Sequence, residues 1–180
     1  FQGDAVISTG AALAGTTADI QLLTVSGSGA VTISVGAHEG VVSGGTVLGG
    51  DVTIAATQST ASLDFSTITA SGSLTIAAGT TGDFSGNNID AVGDFSFTNE
   101  SNTSKTADIT LSSFLTSSDA TISLGSGPDG AFTASDATVT GDFIFDAART
   151  KTTIDMATIA TTGDFTLALG TGGDFSSTTV

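Results

Sequence analysis

Apolar and small polar residues alternate with period two over short stretches of this chain, and similar stretches keep returning. The clearest is a Gly/Ser-Asp/Ser-apolar-x-apolar unit. It reads Gly50-Asp51-Val52-Thr53-Ile54, Gly72-Ser73-Leu74-Thr75-Ile76, Gly93-Asp94-Phe95-Ser96-Phe97, Ser118-Asp119-Ala120-Thr121-Ile122, Gly141-Asp142-Phe143-Ile144-Phe145 and Gly163-Asp164-Phe165-Thr166-Leu167. An earlier copy, Gly29-Ala30-Val31-Thr32-Ile33, lacks the acid, and successive starts lie 21, 22, 21, 25, 23 and 22 residues apart. Such alternation marks a strand with one buried face. Phe95 and Phe97, Phe143 and Phe145, and Val52 and Ile54 are predicted to point one way, Ser96 and Thr53 the other. Nothing in the chain sustains helical spacing over three turns.

Two further columns lie between these copies. One sets an acid before a large apolar residue, through Asp19-Ile20, Val41-Val42, Asp64-Phe65, Asp83-Phe84, Asp108-Ile109, Ala131-Phe132, Asp155-Met156 and Asp174-Phe175. The other is shorter: Leu23-Thr24-Val25, Val47-Leu48, Ile68-Thr69-Ala70, Ile89-Asp90-Ala91, Leu115-Thr116, Ala137-Thr138-Val139 and Ile159-Ala160-Thr161. Three short strands thus recur in each repeat of roughly 19–25 residues.

A unit of this size cannot bury its apolar face alone, so neighbouring units must stack and share a core. The prediction is an all-β fold, a right-handed parallel β-helix with about three short strands per coil, each coil pairing with the next at about 4.8 Å. Residues 1–180 read as one repetitive segment of about eight coils, a rod about 38 Å long, within a longer array. An antiparallel sandwich also uses many short strands, but its strands do not usually repeat one another in sequence. Phe, Ile, Leu and Val are predicted to stack as internal ladders. Glycines are expected at corners that need positive φ or close backbone approach, and Gly125 to Gly130, holding the only proline, Pro128, reads as a turn.

Composition then narrows the function. Charged residues make up 12% of the chain and its mean hydropathy is positive, at +0.35, which does not fit charge-driven disorder. Eighteen acids against Lys105, Arg149 and Lys151 give a net charge of −15. That leaves no basic patch for nucleic acid and disfavours an anionic lipid surface, and no apolar run approaches a membrane span. The absence of cysteine excludes disulfides and thiolate metal sites. The chain opens on FQGDAV without a signal-like region, so a leader has been removed or the segment belongs to something longer. The last repeat, Gly163 to Val180, carries Gly-Asp-Phe twice with no capping coil. It is expected to continue into further repeats or to stack on another copy.

The Thr/Ser/Gly/Ala-rich repeats containing Thr-Gly-Asp-Phe-Thr-Leu (162–167) and Gly-Asp-Phe-Ser-Phe (93–97) resemble the β-strand repeat regions of giant bacterial cell-surface proteins, such as surface-layer proteins and type I secreted adhesins. The resemblance covers most of the chain from Gly29 onward. It implies export without a cleaved leader or by a dedicated route, assembly at the cell surface, and a frequent need for calcium. The Gly-Gly-x-Gly-x-Asp nonapeptide of calcium-binding repeats is absent.

The acids are the main candidates for chemistry. Asp94, Asp119, Asp142 and Asp164 fall on successive coils and form an outward ladder, in which like charges at about 4.8 Å repel by roughly 1 kcal/mol per pair even in water. Ca2+ between the rungs would relieve this, since calcium accepts all-oxygen ligands in irregular geometry. The alternative is that each Asp is a turn former satisfied by local backbone N–H groups. Polysaccharide cleavage by paired carboxylates would call for aromatic sugar platforms, yet the chain has no Trp or Tyr and its acids recur evenly. His38, beside Glu39, is the only histidine and lacks partners for a triad or zinc site. Residues 98–105 are predicted to protrude as a loop with two N-glycan acceptor patterns, at Asn99 and Asn102, which also arise by chance in so Ser/Thr-rich a chain. Thr53, Thr75, Thr121 and Thr166 align on the outward face, interrupted by Ser96 and Ile144, an arrangement compatible with an ice-binding array.

The sequence therefore predicts a non-enzymatic structural protein of the bacterial cell surface or extracellular matrix, a surface-layer, sheath or fibre subunit. The alternatives are an adhesin stalk, an ice-binding solenoid and a polysaccharide-degrading β-helix. The predicted partners are neighbouring repeats or further copies of the same protein, with cell-envelope glycan as another class, and the predicted location is extracellular.

Overall fold

The computed structural model describes residues 2–9, 19–36, 40–56, 62–79, 83–99, 108–125, 130–147 and 152–180. These hold sixteen strands and no helix. One group is short: β1 (Ala5–Thr9), β3 (Val31–Val35), β5 (Val52–Ala55), β7 (Leu74–Ala78), β9 (Phe95–Asn99), β11 (Ala120–Leu124), β13 (Phe143–Ala147) and β15 (Phe165–Leu169). The other is longer: β2 (Ile20–Ser26), β4 (Val41–Gly49), β6 (Ser62–Ala70), β8 (Phe84–Ala91), β10 (Ile109–Thr116), β12 (Ala131–Val139), β14 (Thr153–Thr161) and β16 (Asp174–Thr179). Odd strands pair only with odd and even only with even, in two eight-stranded sheets ordered along the chain. Every pairing is parallel. This is the predicted parallel β-helix.

The first sequence column is the odd sheet, with the paired residues expected: Thr53 beside Thr75, Phe95 beside Ala120, Phe143 beside Phe165. The other two columns run together as the two arms of each even strand. In β6 Leu63 and Phe65 are buried, Ser66 and Thr67 both face outward, and Ile68 and Ala70 are buried again. The alternation slips by one residue there, and paired register lapses at Ser66. β10 and β12 slip at the same level, so the slip is a built feature that turns each even strand and closes the coil.

The core is one continuous apolar cluster between the sheets, and it is filled by trading volume across levels. Phe95, Ala120 and Phe143 are successive partners in the odd sheet. Phe114 enters from the even sheet at the level of Ala120, with ring centroids 5.5 Å from Phe95 and 5.6 Å from Phe143. A phenylalanine at position 120 would compete with Phe114 for that space, so the small residue and the large one are a matched pair.

The corner glycines owe little to unusual dihedrals. Among the described residues only Gly3, Gly40 and Gly172 have positive φ. Close approach is what selects the rest.

Candidate functional site

The register places Asp94, Asp119, Asp142 and Asp164 in one column at the entry to the odd strands, where Phe95, Ala120 and Phe143 donate their amides to the carbonyls of Asp119, Asp142 and Asp164 at 2.8–2.9 Å. The acids of this column also include Asp51, in the Gly50-Asp51 copy of the motif, and Asp4, in a copy that precedes Gly29. Gly3-Asp4-Ala5-Val6-Ile7 is a full copy of the motif, and β1 pairs with β3 as any other coil does. Ala30 and Ser73 interrupt the run of acids, which is why it reads as four residues instead of six.

Each of these aspartates except Asp164, on the last strand of the odd sheet, bonds to the following coil. The Oδ1 of Asp4 accepts from the Ala30 amide, Asp51 from Ser73, Asp119 from Asp142 and Asp142 from Asp164, all at 2.9 Å. The residue before each donating amide is Gly29, Gly72, Gly141 or Gly163. A methyl group built there would overlap the incoming carboxylate oxygen. The Gly-Asp dipeptide thus has a mechanical cause: its glycine makes room for the carboxylate of the preceding coil, and its aspartate reaches the amide of the next one.

One rung has serine in place of glycine, and its geometry changes accordingly. Asp94 accepts from Ser118 Oγ at 2.5 Å, while its distance to the Asp119 amide lengthens to 3.4 Å. The buried Thr116 hydroxyl takes the carbonyl of Gly93 at 2.7 Å, a group that elsewhere in the column accepts from the next corner amide.

A second ladder runs at the entry to the even strands: Asp19 to the Val41 amide at 3.1 Å, Asp83 to Asp108 at 2.9 Å and Asp108 to Ala131 at 3.0 Å. On the outer face of the even sheet Asp64 and Asp155 accept from Ser85 and Ser176, at 2.5 and 2.9 Å. Ten aspartates therefore hold the next coil, always in the same direction along the rod.

Asp64 and Asp155 do not sit where the sequence columns placed them. Asp64 pairs with Ser43 and Ser85, and Asp155 with Thr133 and Ser176. That is two residues further into the strand than Asp83 and Asp108. Leu23 and Leu115, read as interior positions, lie outside at 77% and 42% exposure, and Phe114 takes the buried place beside Leu115. His38, Glu39, Pro128, the Asn102 acceptor and all three cations lie outside the described residues. Asn99 is the last residue of β9.

A calcium site needs six to eight oxygens at about 2.3–2.6 Å. The predicted rungs stand one coil apart, three of the four have an oxygen committed to an amide or hydroxyl of the next coil, and no group of three or more His, Asp or Glu is poised for a metal among the described residues. The donor set fits an amide ladder better than a cation cage. A recess of about 190 Å3 opens over Gly44 and Gly45 at the bend of β4. The only ionisable group in its lining is Asp64, already bonded to Ser85.

Comparison with known proteins gives no match to a protein family, to a curated protein or to a solved structure.

Proposed function

We propose that this chain is a structural protein, a length of β-solenoid rod serving a bacterial cell surface or extracellular matrix as surface-layer, sheath or fibre material. The observation that carries this reading is the employment of the acids. The most repeated ionisable groups of the chain bond coil to coil, which suits a scaffold whose product is its own length. Parallel stacking of near-identical coils is extensible by its nature, because each coil offers its neighbour the surface it received from the one before. A net charge of −15 keeps such rods dispersed in water and away from anionic lipid. The resemblance of the repeats to giant surface proteins agrees with this placement.

The test is shape together with chemistry. Small-angle scattering and negative-stain microscopy of the purified segment are expected to show a rod, and incubation with cell-envelope polysaccharides is expected to release no sugar. A compact globular particle, or turnover of saccharide by the segment, overturns the proposal.

A further inference from the structure

The outer face of the odd sheet differs from the other described surfaces of the rod. Its strands are four or five residues long and unbroken, whereas the even strands bend at the slip. Its outward positions form two straight columns of short side chains. Thr32, Thr53, Thr75, Thr121 and Thr166 stand in one, and Ala55, Ala77 and Ala168 in the other. Asp146 is the only charged residue among its described positions. By contrast Asp64, Asp90, Asp136 and Asp155 lie on the outer face of the even sheet, and the two corners carry the aspartate ladders.

The hydroxyls differ as well. On the even face and at the corners some are engaged within the chain, as in Ser85 with Asp64, Ser112 with Asn87 and Ser118 with Asp94. Among the described residues the threonine hydroxyls of the odd face show no such bond. They form a flat array of groups that each donate and accept.

We infer that this face is where two copies of the chain pack against each other, about a two-fold axis that lies in the interface and runs parallel to the strands. That axis sets the third strand over the partner's sixth and the fourth over its fifth, so Thr53 meets Thr121 and Thr75 meets Ser96, hydroxyls that each donate and accept, as the self-complementarity of an isologous contact requires. Two molecules of net charge −15 can approach here without stacking carboxylate on carboxylate. Asp146 lies on the seventh of eight strands, so the two-fold sets it over the partner's second strand and far from the partner's own aspartate. Eight strands at about 4.8 Å by five residues at about 3.3 Å give about 600 Å2 per partner, or about 1,200 Å2 in all. That reaches the lower bound for a specific interface and belongs with weak, reversible association. Val6 and Ile144, exposed at 70% and 43%, add apolar area to the same face. The inference rests on the reading of the chain as structural material and makes lateral pairing its mode of assembly.

Sedimentation equilibrium over a concentration series tests it, on the wild-type segment, on Thr75→Glu/Thr121→Glu, and on Thr67→Glu/Thr133→Glu, which places the same charges on the even face. Circular dichroism confirms that each variant folds. The wild type is expected to dimerise above about 100 μM, the even-face variant to behave likewise, and the odd-face variant to weaken association at least about tenfold. A wild type that stays monomeric throughout, an odd-face variant that dimerises normally, or equal losses in both variants overturns the inference. So does a monomeric wild type that adsorbs to ice or insoluble glycan through this face. A rod-shaped but monomeric wild type overturns lateral pairing and leaves the structural role standing; saccharide turnover or a globular shape removes the structural role itself.

Discussion

Phe65 lies directly over Gly44. The two are partners in adjacent coils, and a methyl group built on Gly44 would overlap Cδ1 and Cε1 of the phenylalanine ring. On the other side Phe65 pairs with Gly86. A fully buried aromatic ring is thus accommodated because Gly44 gives up its side chain, while a methyl group on Gly86 would meet Ile89 and Phe84 instead.

Gly44→Ala is therefore expected to destabilise the segment by about 1–3 kcal/mol through overpacking, although alanine would ordinarily stabilise a strand position with negative φ by restricting the unfolded chain. The double variant Gly44→Ala/Phe65→Leu should lose less than the sum of its single changes. Thermal melts of the four proteins of this cycle check it, and strict additivity would dismiss the contact as a determinant.

At the corner the expected order is glycine, then serine, then alanine. Gly141→Ala pushes a methyl group onto Asp119 Oδ1 and disrupts its bond to the Asp142 amide, at a cost of about 1–2 kcal/mol. Gly141→Ser should cost less, because its hydroxyl can donate to the displaced carboxylate as Ser118 does to Asp94. Urea midpoints rank the three; alanine equal to glycine would show that the carboxylate bond carries no stability.

The coil itself was legible because the odd strands alternate strictly, and because a Gly-Asp lead or a close variant of it returns at every turn. Register within the even strands was not. Asp64-Phe65 and Asp83-Phe84 look equivalent, yet they sit two residues apart in the ladder, and a shift of two leaves every side chain on the same face. Only the stacking of Phe65 between Gly44 and Gly86 decides it, a relation between coils that no single stretch of sequence displays. Likewise Phe114-Leu115 offers two adjacent apolar residues, and the slip at Ser112 and Ser113 determines which one enters the core. The aspartates were legible as a column and not as bonds, because the glycine that receives each carboxylate stands one coil away.

Removal of divalent ions should leave stability unchanged. The amide ladder needs an oxygen acceptor and no cation, so Asp119→Asn/Asp142→Asn keeps the acceptors and relieves repulsion between rungs, worth roughly 1 kcal/mol per pair at this spacing in water. The expected melting temperature of the double variant is equal to or above that of the wild type, and the same in EDTA as in excess calcium at matched ionic strength. A calcium-dependent rise in the wild type that disappears in the double variant would establish a cation on these rungs.

The matched volumes of Phe114 and Ala120 make the sharpest core prediction. Phe114 touches the rings of Phe95 and Phe143 across the level where the odd sheet supplies only Ala120. Phe114→Ala opens a cavity at a fully buried site and is expected to cost about 3–5 kcal/mol, while Ala120→Leu alone overpacks the level by about 1–3 kcal/mol. Together they move the bulk from one sheet to the other, so the double variant should be more stable than Phe114→Ala by itself. Denaturant unfolding of all four proteins supplies the coupling energy. A double variant less stable than either single change would mean that the two side chains do not share one volume.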